Sequence, residues 1–526
     1  MDEEMEKLNA RGTFQAVDKP EGQGLIGLKW VFDIKYNADG AVKGVKARLV
    51  AQGFSQRPED YDQTYMPTPS KETTNGVYSI SAKWDHQLYT FDIKQAFTHS
   101  KIRSPIYCRQ VPGYPEADPK LVLKLCVALY GLKQAAFEWY CLIFQVLVSI
   151  GLWHCELDHA LFLGVWTSPP ADGINMPNDG EPLQMLVPLH VDDGLTSTNS
   201  EKLYVWMIMR MKKAGIDVVD LGPASMYLAA RILWDRANRR LWLSISPFIV
   251  NMLEDWKMDF CNAAKTPMDT LPSQMPDAKL GVLTEHMPIT DFKKAYQSVV
   301  GSINYAAKSV RADLSFAAMV LGHHAAAPEQ KHMAAAKRVL CYLWGTKDYV
   351  LMFDGNKDID PSVNDLVHSA TAFMDADWAS EPTTRLSVSG FAMFYMGGLV
   401  SWSSVCQRTI VLSSTEAEYY AIVHAVKRAL WFRLLLIICG LPVPSPFPIM
   451  IDNKSAIAQV NSPAITSRSK HIHIRNLFIK EHFNDRTFSA NWVPSSVNVA
   501  DIFTKPLSSP LFEKHHDALG IVSPPS

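Results

Sequence analysis

Residues 189–194 read LHVDDG and close the apolar run QMLVPLHVDDGL at 184–195. Apolar, strand-forming residues up to Leu189, followed by an Asp-Gly pair, point to a strand that turns back on itself in a hairpin. Two adjacent acids at the tight end of a buried strand are costly unless a cation neutralises them. Upstream, YTFDIKQAFTHS at 89–100 places Asp92 at the end of another apolar strand. Asp92, Asp192 and Asp193 therefore offer hard oxygen ligands on rigid elements, the donor type a magnesium ion takes. The plainer alternative is that Asp193 and Gly194 only form the turn and Asp92 caps the helix that follows.

The bulk of the chain allows such a site without announcing it. With 526 residues and 48% hydrophobic content, the chain can fill two or three cores. Its 51 Lys and Arg nearly balance 53 Asp and Glu, so any nucleic-acid binding must come from local clusters. The cysteines at 108, 126, 141, 155, 261, 341, 406 and 439 show no CxxC or Cys/His spacing, which fits buried thiols in a reducing compartment and no zinc site. The N-terminal MDEEMEK is acidic where a signal peptide would be basic and then apolar. LIFQVLVSIGLW is too short to cross a membrane and LWFRLLLIICGL carries Arg433, so a soluble, intracellular protein is expected.

Working outward, residues 25–65 read as strands broken by the turn signal Asn37–Gly40. Residues 84–111 give a strand ending at Asp92, a short helix and an extended run. LVLKLCVALYGLKQAAFEWYCLIFQVLVSIGL passes from strand to a long helix closing at Gly151. A Pro-, Gly- and Asn-rich loop at 167–182 then leads into the hairpin, and this order suggests an α+β palm. Residues 201–264 mix helices with a short hairpin, and 269–291 is a weakly patterned linker. Met333, Ala336, Leu340 and Leu343 mark one face of a helix ending near Gly345. From near Val367 come three strands (HSATAFM, VSGFAMFYM, LVSWSS), a helix over 414–438 and the strand FPIMI. That is the connection order of a ribonuclease H fold.

Many motifs occur together and in order: KWVFDIKYNADGAVKGVKARLVAQGFSQ, YTFDIKQAFTHS, IYCRQVPGYP, ALYGLKQAAFEWY, CELDHALF and LHVDDG, then YQSVVGSINYAAKSVRADLSFAAMVLG, AAAKRVLCYLWGT, FMDADWAS, TRLSVSGF, LVSWSS, VLSSTEAEYYA, IDNKSAI, SRSKHIHIR and VADIFTKPL. Over nearly its whole length the chain resembles the reverse transcriptase and ribonuclease H region of copia-type long-terminal-repeat retrotransposon polyproteins. The fold this implies is an α+β reverse transcriptase palm and fingers, a helical connector and an α/β ribonuclease H-like domain. Its expected boundaries are fingers and palm over 1–200, a thumb-like region over 201–268, a linker over 269–291, a helical connection over 292–350 and the ribonuclease H-like domain over 365–510.

The resemblance implies an RNA-directed DNA polymerase in which Asp92, Asp192 and Asp193 hold two magnesium ions about 4 Å apart, with manganese as a substitute. Lys46 and Arg48 look like triphosphate binders, or else a solvated strand face. Phe97 falls where the family carries an aromatic that would clash with a ribose 2′-hydroxyl; an ordinary core aromatic is the alternative. Gly131 would let backbone approach template or nucleotide, unless it merely turns strand into helix. The implied partners are an RNA template, a DNA primer, the RNA–DNA hybrid and deoxynucleoside triphosphates, with no membrane. Analogy adds a dimer or particle association, and a location in the cytoplasm, a virus-like particle or the nucleus.

For the ribonuclease H half the resemblance implies two further ions held by Asp375, Glu418, Asp452 and Asp501. Asp375 and Asp452 end apolar strands. In SSTEAEYY, Ser413 with Glu416 would form a capping box and leave Glu418 for metal; the rival box pairs Thr415 with Glu418. Asp501 could be only a helix-initiating acid. Residues 466–486 carry five Lys or Arg against two acids, plus His471, His473 and His482. Such a strip suits a phosphate backbone, or is a solvated helix face.

The chain departs from the family at several positions. His190 stands for a tyrosine, Ala229 for a glycine, and VRAD at 310–313 for TRPD; Cys406 replaces a basic residue, His473 an acid, Asn476 a tyrosine and Leu477 a histidine. The rivals to an active enzyme are therefore a decayed nucleic-acid-binding relic and a nuclease-only remnant. Without capsid, protease or integrase segments, the chain reads as a piece of a polyprotein.

Overall fold

The computed structural model describes residues 1–36, 42–168, 170, 182–269, 289–357, 370–379, 385–462 and 473–525. Most of the expected 167–182 loop and 269–291 linker, the start near Val367, and the basic segment before His473 lie outside the described residues. The chain forms two compact units, one of residues 1–69 with 88–223 and one of residues 70–87 with 224–526.

The first unit is built on a six-stranded sheet in the order Val218–Pro223, Gln87–Ile93, Asp193–Thr198, Leu183–His190, Leu161–Trp166, Trp153–His154. Leu183, Met185, Val187 and Leu189 alternate inward from one strand. They share a core with Phe91, Phe162 and the helix Ala135–Ser149, which contributes Trp139, Ile143 and Leu147. The helix Glu201–Lys213 joins the same core through Leu203, Tyr204, Met207, Ile208 and Met211, a stripe at helical spacing. Ser200 caps that helix by accepting the Leu203 N–H at 3.4 Å. A second, four-stranded sheet and the antiparallel hairpin of Leu28–Tyr36 with Val42–Ala51 complete the strand-rich lobe expected near the N-terminus.

The second unit has one ten-stranded sheet. Its path runs through Met226–Tyr227, Ala230–Asp235, Arg240–Ser244, Val350–Asp354, Gly398–Cys406, Val388–Tyr395, Ala370–Asp377, Phe447–Ile451 and Phe488–Trp492, with Ile521–Val522 paired to Val350–Asp354. The helix Ser414–Ile438 buries Tyr419, Ile422, Val426 and Phe432. The expected connector helix is Gln330–Gly345, and Met333, Ala336, Leu340 and Leu343 are all buried. Within VRAD, Arg311 and Asp313 form a fully buried ion pair at 3.0 and 2.7 Å. Tyr342 donates to the same carboxylate at 2.7 Å and Thr346 accepts from Arg311 at 2.8 Å. The departure from TRPD thus keeps the charged pair and changes the residues around it.

Two features divide the chain differently from the sequence expectation. The helix Lys71–Trp84, upstream of Asp92, belongs to the second unit: Asn75 donates to the Val400 carbonyl at 3.2 Å, and Glu72 accepts from Ser401 at 2.8 Å and Arg428 at 2.6 Å. The expected thumb-like segment 201–268 is split, because Glu201–Lys213 packs in the first unit while the strands from Met226 onward extend the second unit's sheet. Pairing across Arg240–Ser244 and Val350–Asp354 joins those strands to the ribonuclease H-like strands in one hydrogen-bonded layer.

Candidate active sites

In the first unit the doublet lies where its sequence placed it. Leu183–His190 and Asp193–Thr198 pair antiparallel with His190 opposite Asp193, leaving Val191 and Asp192 as the turn. Val191 adopts φ +59°, a left-handed conformation unfavourable for a β-branched residue, and its carbonyl accepts the Trp139 indole N–H at 2.9 Å. Gly194 has a steric reason: a Cβ there would lie 2.0 Å from the buried Phe91 ring. That close approach brings the Asp92 strand against the doublet strand, and the Ile93 N–H donates to the Asp192 carbonyl at 3.0 Å. Burial, then Asp192 and Asp92, push the Asp193 carboxyl above the ordinary aspartate range, with His190 opposing.

Of the nucleotide-binding candidates, Phe97 and Arg48 lie near Tyr130, which Gly131 follows in the chain and which the sequence reading passed over. Phe97 is partly buried in the short 3-10 turn Ala96–His99, with its ring 4.9 Å from that of Tyr130. Burial, then Asp192, push the Tyr130 hydroxyl up to about 12, while Arg48 draws it down. Arg48 and Lys46 lie on one face of the strand Val42–Ala51, Lys46 opposite Asp33 in register and Arg48 3.7 Å from it. Gly131 has φ +90°, and a Cβ there would lie 2.1 Å from the Ala51 carbonyl oxygen. The space its missing side chain leaves is thus already taken by this chain's own backbone.

In the second unit the acids are drawn together more tightly. Ala370–Asp377 and Phe447–Ile451 run parallel with Ala372 opposite Ile449 and Phe373 opposite Met450. Two steps further, that register sets Asp375 level with Asp452. Asp501 arrives on the 3-10 turn Val499–Phe503, tied down by Asn498, which donates to the Met374 carbonyl at 2.9 Å. The turn can sit there because Gly390, directly opposite Asp375, has no side chain; a Cβ would lie 2.7 Å from the Ala500 carbonyl oxygen. Ligand atoms of Asp375, Asp452 and Asp501 all lie within 4.8 Å of one another.

The glutamate ambiguity resolves structurally. Ser413 accepts the Glu416 N–H at 3.2 Å, and the Glu416 carboxylate accepts the Leu412 N–H at 2.9 Å, so Glu416 serves the helix start. Glu418 is buried two residues further on, and its Oε2 and the Asp501 Oδ1 have no hydrogen-bond partner among the described residues. Burial, then Asp375 and Asp452, push the Glu418 carboxyl up to about 9. Burial, then Asp375, push Asp501 up to about 7, with Lys505 opposing. Crowded buried acids with orphaned oxygens are the donor set a divalent cation fits. The sequence reading missed Asn498, Thr504 and Lys505; a glycine inside an apolar strand, Gly390, was the available sign that backbone packs there.

The departures fall unevenly. Ala229 holds φ +64° in the two-residue turn Leu228–Ala229, a left-handed conformation that a glycine adopts without strain. Asn476 is buried, with no partner for its Oδ1 among the described residues, and Leu477 is 46% exposed. Cys406 lies at a strand end, its thiol directed to the Gln407 carbonyl at 3.7 Å. Among the described residues, no helix is long and apolar enough to cross a membrane.

A palm-like sheet with acids at its hairpin, followed by a ribonuclease H-like sheet with a second acid cluster, is the architecture of a reverse transcriptase joined to a ribonuclease H. Residues 11–270 match the family model described as reverse transcriptase (RNA-dependent DNA polymerase). The chain is 30% identical over 531 residues to the Retrovirus-related Pol polyprotein from transposon TNT 1-94 of Nicotiana tabacum, covering 99% of this chain and 38% of that relative. It is also 30% identical over 510 residues to that from transposon RE1 of Arabidopsis thaliana, covering 96% of this chain and 32% of the relative. A foamy viral protease-reverse transcriptase solved in complex with double-stranded DNA aligns over 92% of this chain and 68% of that one, with a TM-score of 0.48 and 11% identity. The chain belongs to the reverse transcriptase and ribonuclease H region of copia-type Pol polyproteins, and spans about a third of the length of these curated relatives.

Proposed function

We propose that this chain is an RNA-directed DNA polymerase with a carboxy-terminal ribonuclease H, acting on a primed RNA template with deoxynucleoside triphosphates and magnesium. The observation that carries this is that each unit sets acids beside the ends of its strands, with the Asp193 and Glu418 carboxyls raised by burial and then by neighbouring acids, and with Asp375, Asp452 and Asp501 offering ligand atoms within 4.8 Å of one another. Magnesium bound at such acids activates an attacking oxygen and neutralises phosphate charge. Asp92, Asp192 and Asp193 would hold it in the first unit, and Asp375, Glu418, Asp452 and Asp501 in the second. Val191 and Gly194 fix where the doublet points. Lys46 and Arg48 would meet the triphosphate. Phe97, steadied against Tyr130, would bar a ribose 2′-hydroxyl, and Gly131 would keep the adjoining turn tight. Work in the cytoplasm or a virus-like particle, and dimerisation, belong to the same proposal by analogy.

The test is primer extension on an RNA template with magnesium, comparing the chain with Asp193→Asn. Extension that the substitution abolishes is expected; no extension by the parent, or extension indifferent to Asp193, overturns the polymerase. The tighter acid spacing in the second unit favours a nuclease alone as the second reading. Hybrid cleavage without extension would select it.

A further inference from the structure

Lys505 lies just past the turn that carries Asp501. Thr504, between them, donates its hydroxyl to Asp375 Oδ2. The Lys505 ammonium lies 3.1 Å from Asp501 Oδ2 and 3.5 Å from Asp375 Oδ2. Its side chain is 36% exposed whereas those of the carboxylates are 5% and 3% exposed, so the ammonium closes the cluster from the solvent side. Burial disfavours its charge, but Asp375 and Asp501 outweigh that and hold it above the ordinary lysine value. These are two of the three acids whose ligand atoms lie within 4.8 Å of one another. A lysine ammonium is a compact charge on a flexible stem, able to bridge two carboxylates and also to swing away from them.

We propose that Lys505 is a built-in counter-cation of this acid cluster: in the metal-free protein it bridges Asp375 and Asp501 and keeps them together, and it competes with a divalent cation for their oxygens. Lys505 is then a positioning residue that sets how much cation the site requires. This rests on reading the cluster as a divalent-cation site.

The test measures cation binding rather than turnover. In the full chain carrying Asp92→Asn, Asp192→Asn and Asp193→Asn, which removes the first unit's candidate ligands, manganese binding is followed by the electron paramagnetic resonance signal of the free ion. The thermal midpoint is measured with a chelator present. For K505Q, half-saturation is expected at about tenfold lower manganese, because one positive charge has left the cluster. Its metal-free midpoint is expected to fall by a few degrees, and K505R should restore both values toward the parent's. A K505Q chain that folds only with manganese present is the same outcome in stronger form. Unchanged or weakened manganese binding in K505Q overturns the proposal, as does failure of K505Q to fold with or without the ion. A parent chain that binds no manganese overturns the cation-site reading as well, whereas binding that K505Q leaves untouched sinks only the role of Lys505.

Discussion

Replacing Glu418 with Gln should make the metal-free protein more stable while removing a cation ligand. Glu418 is 6% exposed, its Oε2 has no hydrogen-bond partner among the described residues, and burial, then Asp375 and Asp452, raise its carboxyl from 4.5 to about 9. A carboxyl raised in the folded state contributes stability that is fully present below its unfolded value and is lost as pH rises toward the folded one. At pH 7 the unfolded chain has released this proton and the folded chain has kept it. At ~1.4 kcal/mol per pH unit over the interval from 4.5 to 7, the cost is about 3 kcal/mol. Gln keeps the shape and does not titrate. In urea unfolding with chelator present, Glu418→Gln is expected to exceed the parent by about 3 kcal/mol at pH 7, by nearly nothing near pH 4.5, and by more at pH 9. Added magnesium should stabilise the parent and narrow the gap. A difference independent of pH, or a variant less stable throughout, would refute the claim that Glu418 is a crowded, uncompensated acid.

Three further outcomes follow from local geometry. Arg311→Leu should cost ~3–5 kcal/mol in urea unfolding, because Asp313 is left charged in a fully buried site; a cost near zero would mean the pair is solvated. Gly194→Ala should cost ~1–3 kcal/mol and depress primer extension, since its Cβ meets the Phe91 ring, and adding Phe91→Leu should recover part of both. Ala229→Gly should raise stability by about 1 kcal/mol by relieving the left-handed backbone, and an unchanged unfolding midpoint would count against that strain.

Local chemistry made much of this legible. Alternating apolar residues up to Leu189 located the hairpin, but the Asp-Gly pair is not its turn: the chain turns at Val191–Asp192, and Asp193 and Gly194 already pair in the returning strand. The strands around Asp375 and the helix Ser414–Ile438 follow their apolar patterns, and the Ser413–Glu416 cap separates two neighbouring glutamates that spacing alone left open. What stayed hidden depends on distant partners. Nothing in KETTNGVYSISAKW tells that its helix packs with Val400 and Arg428 rather than beside Asp92. Gly131 reads equally well as a turn or as room for a ligand until Ala51 is found against it. Thr504 and Lys505 gain their partners only when their turn folds over Gly390 onto the Asp375 strand.

The most direct measurement follows one labelled RNA template with an annealed DNA primer, reading primer growth and template shortening in the same magnesium-containing reaction. The parent chain is expected to do both. Asp193→Asn should lose primer growth yet still cut a preformed hybrid, and Asp375→Asn should keep growth and lose cutting. A parent that does neither, or substitutions that impair both reactions alike, would contradict two separate acid centres serving two reactions.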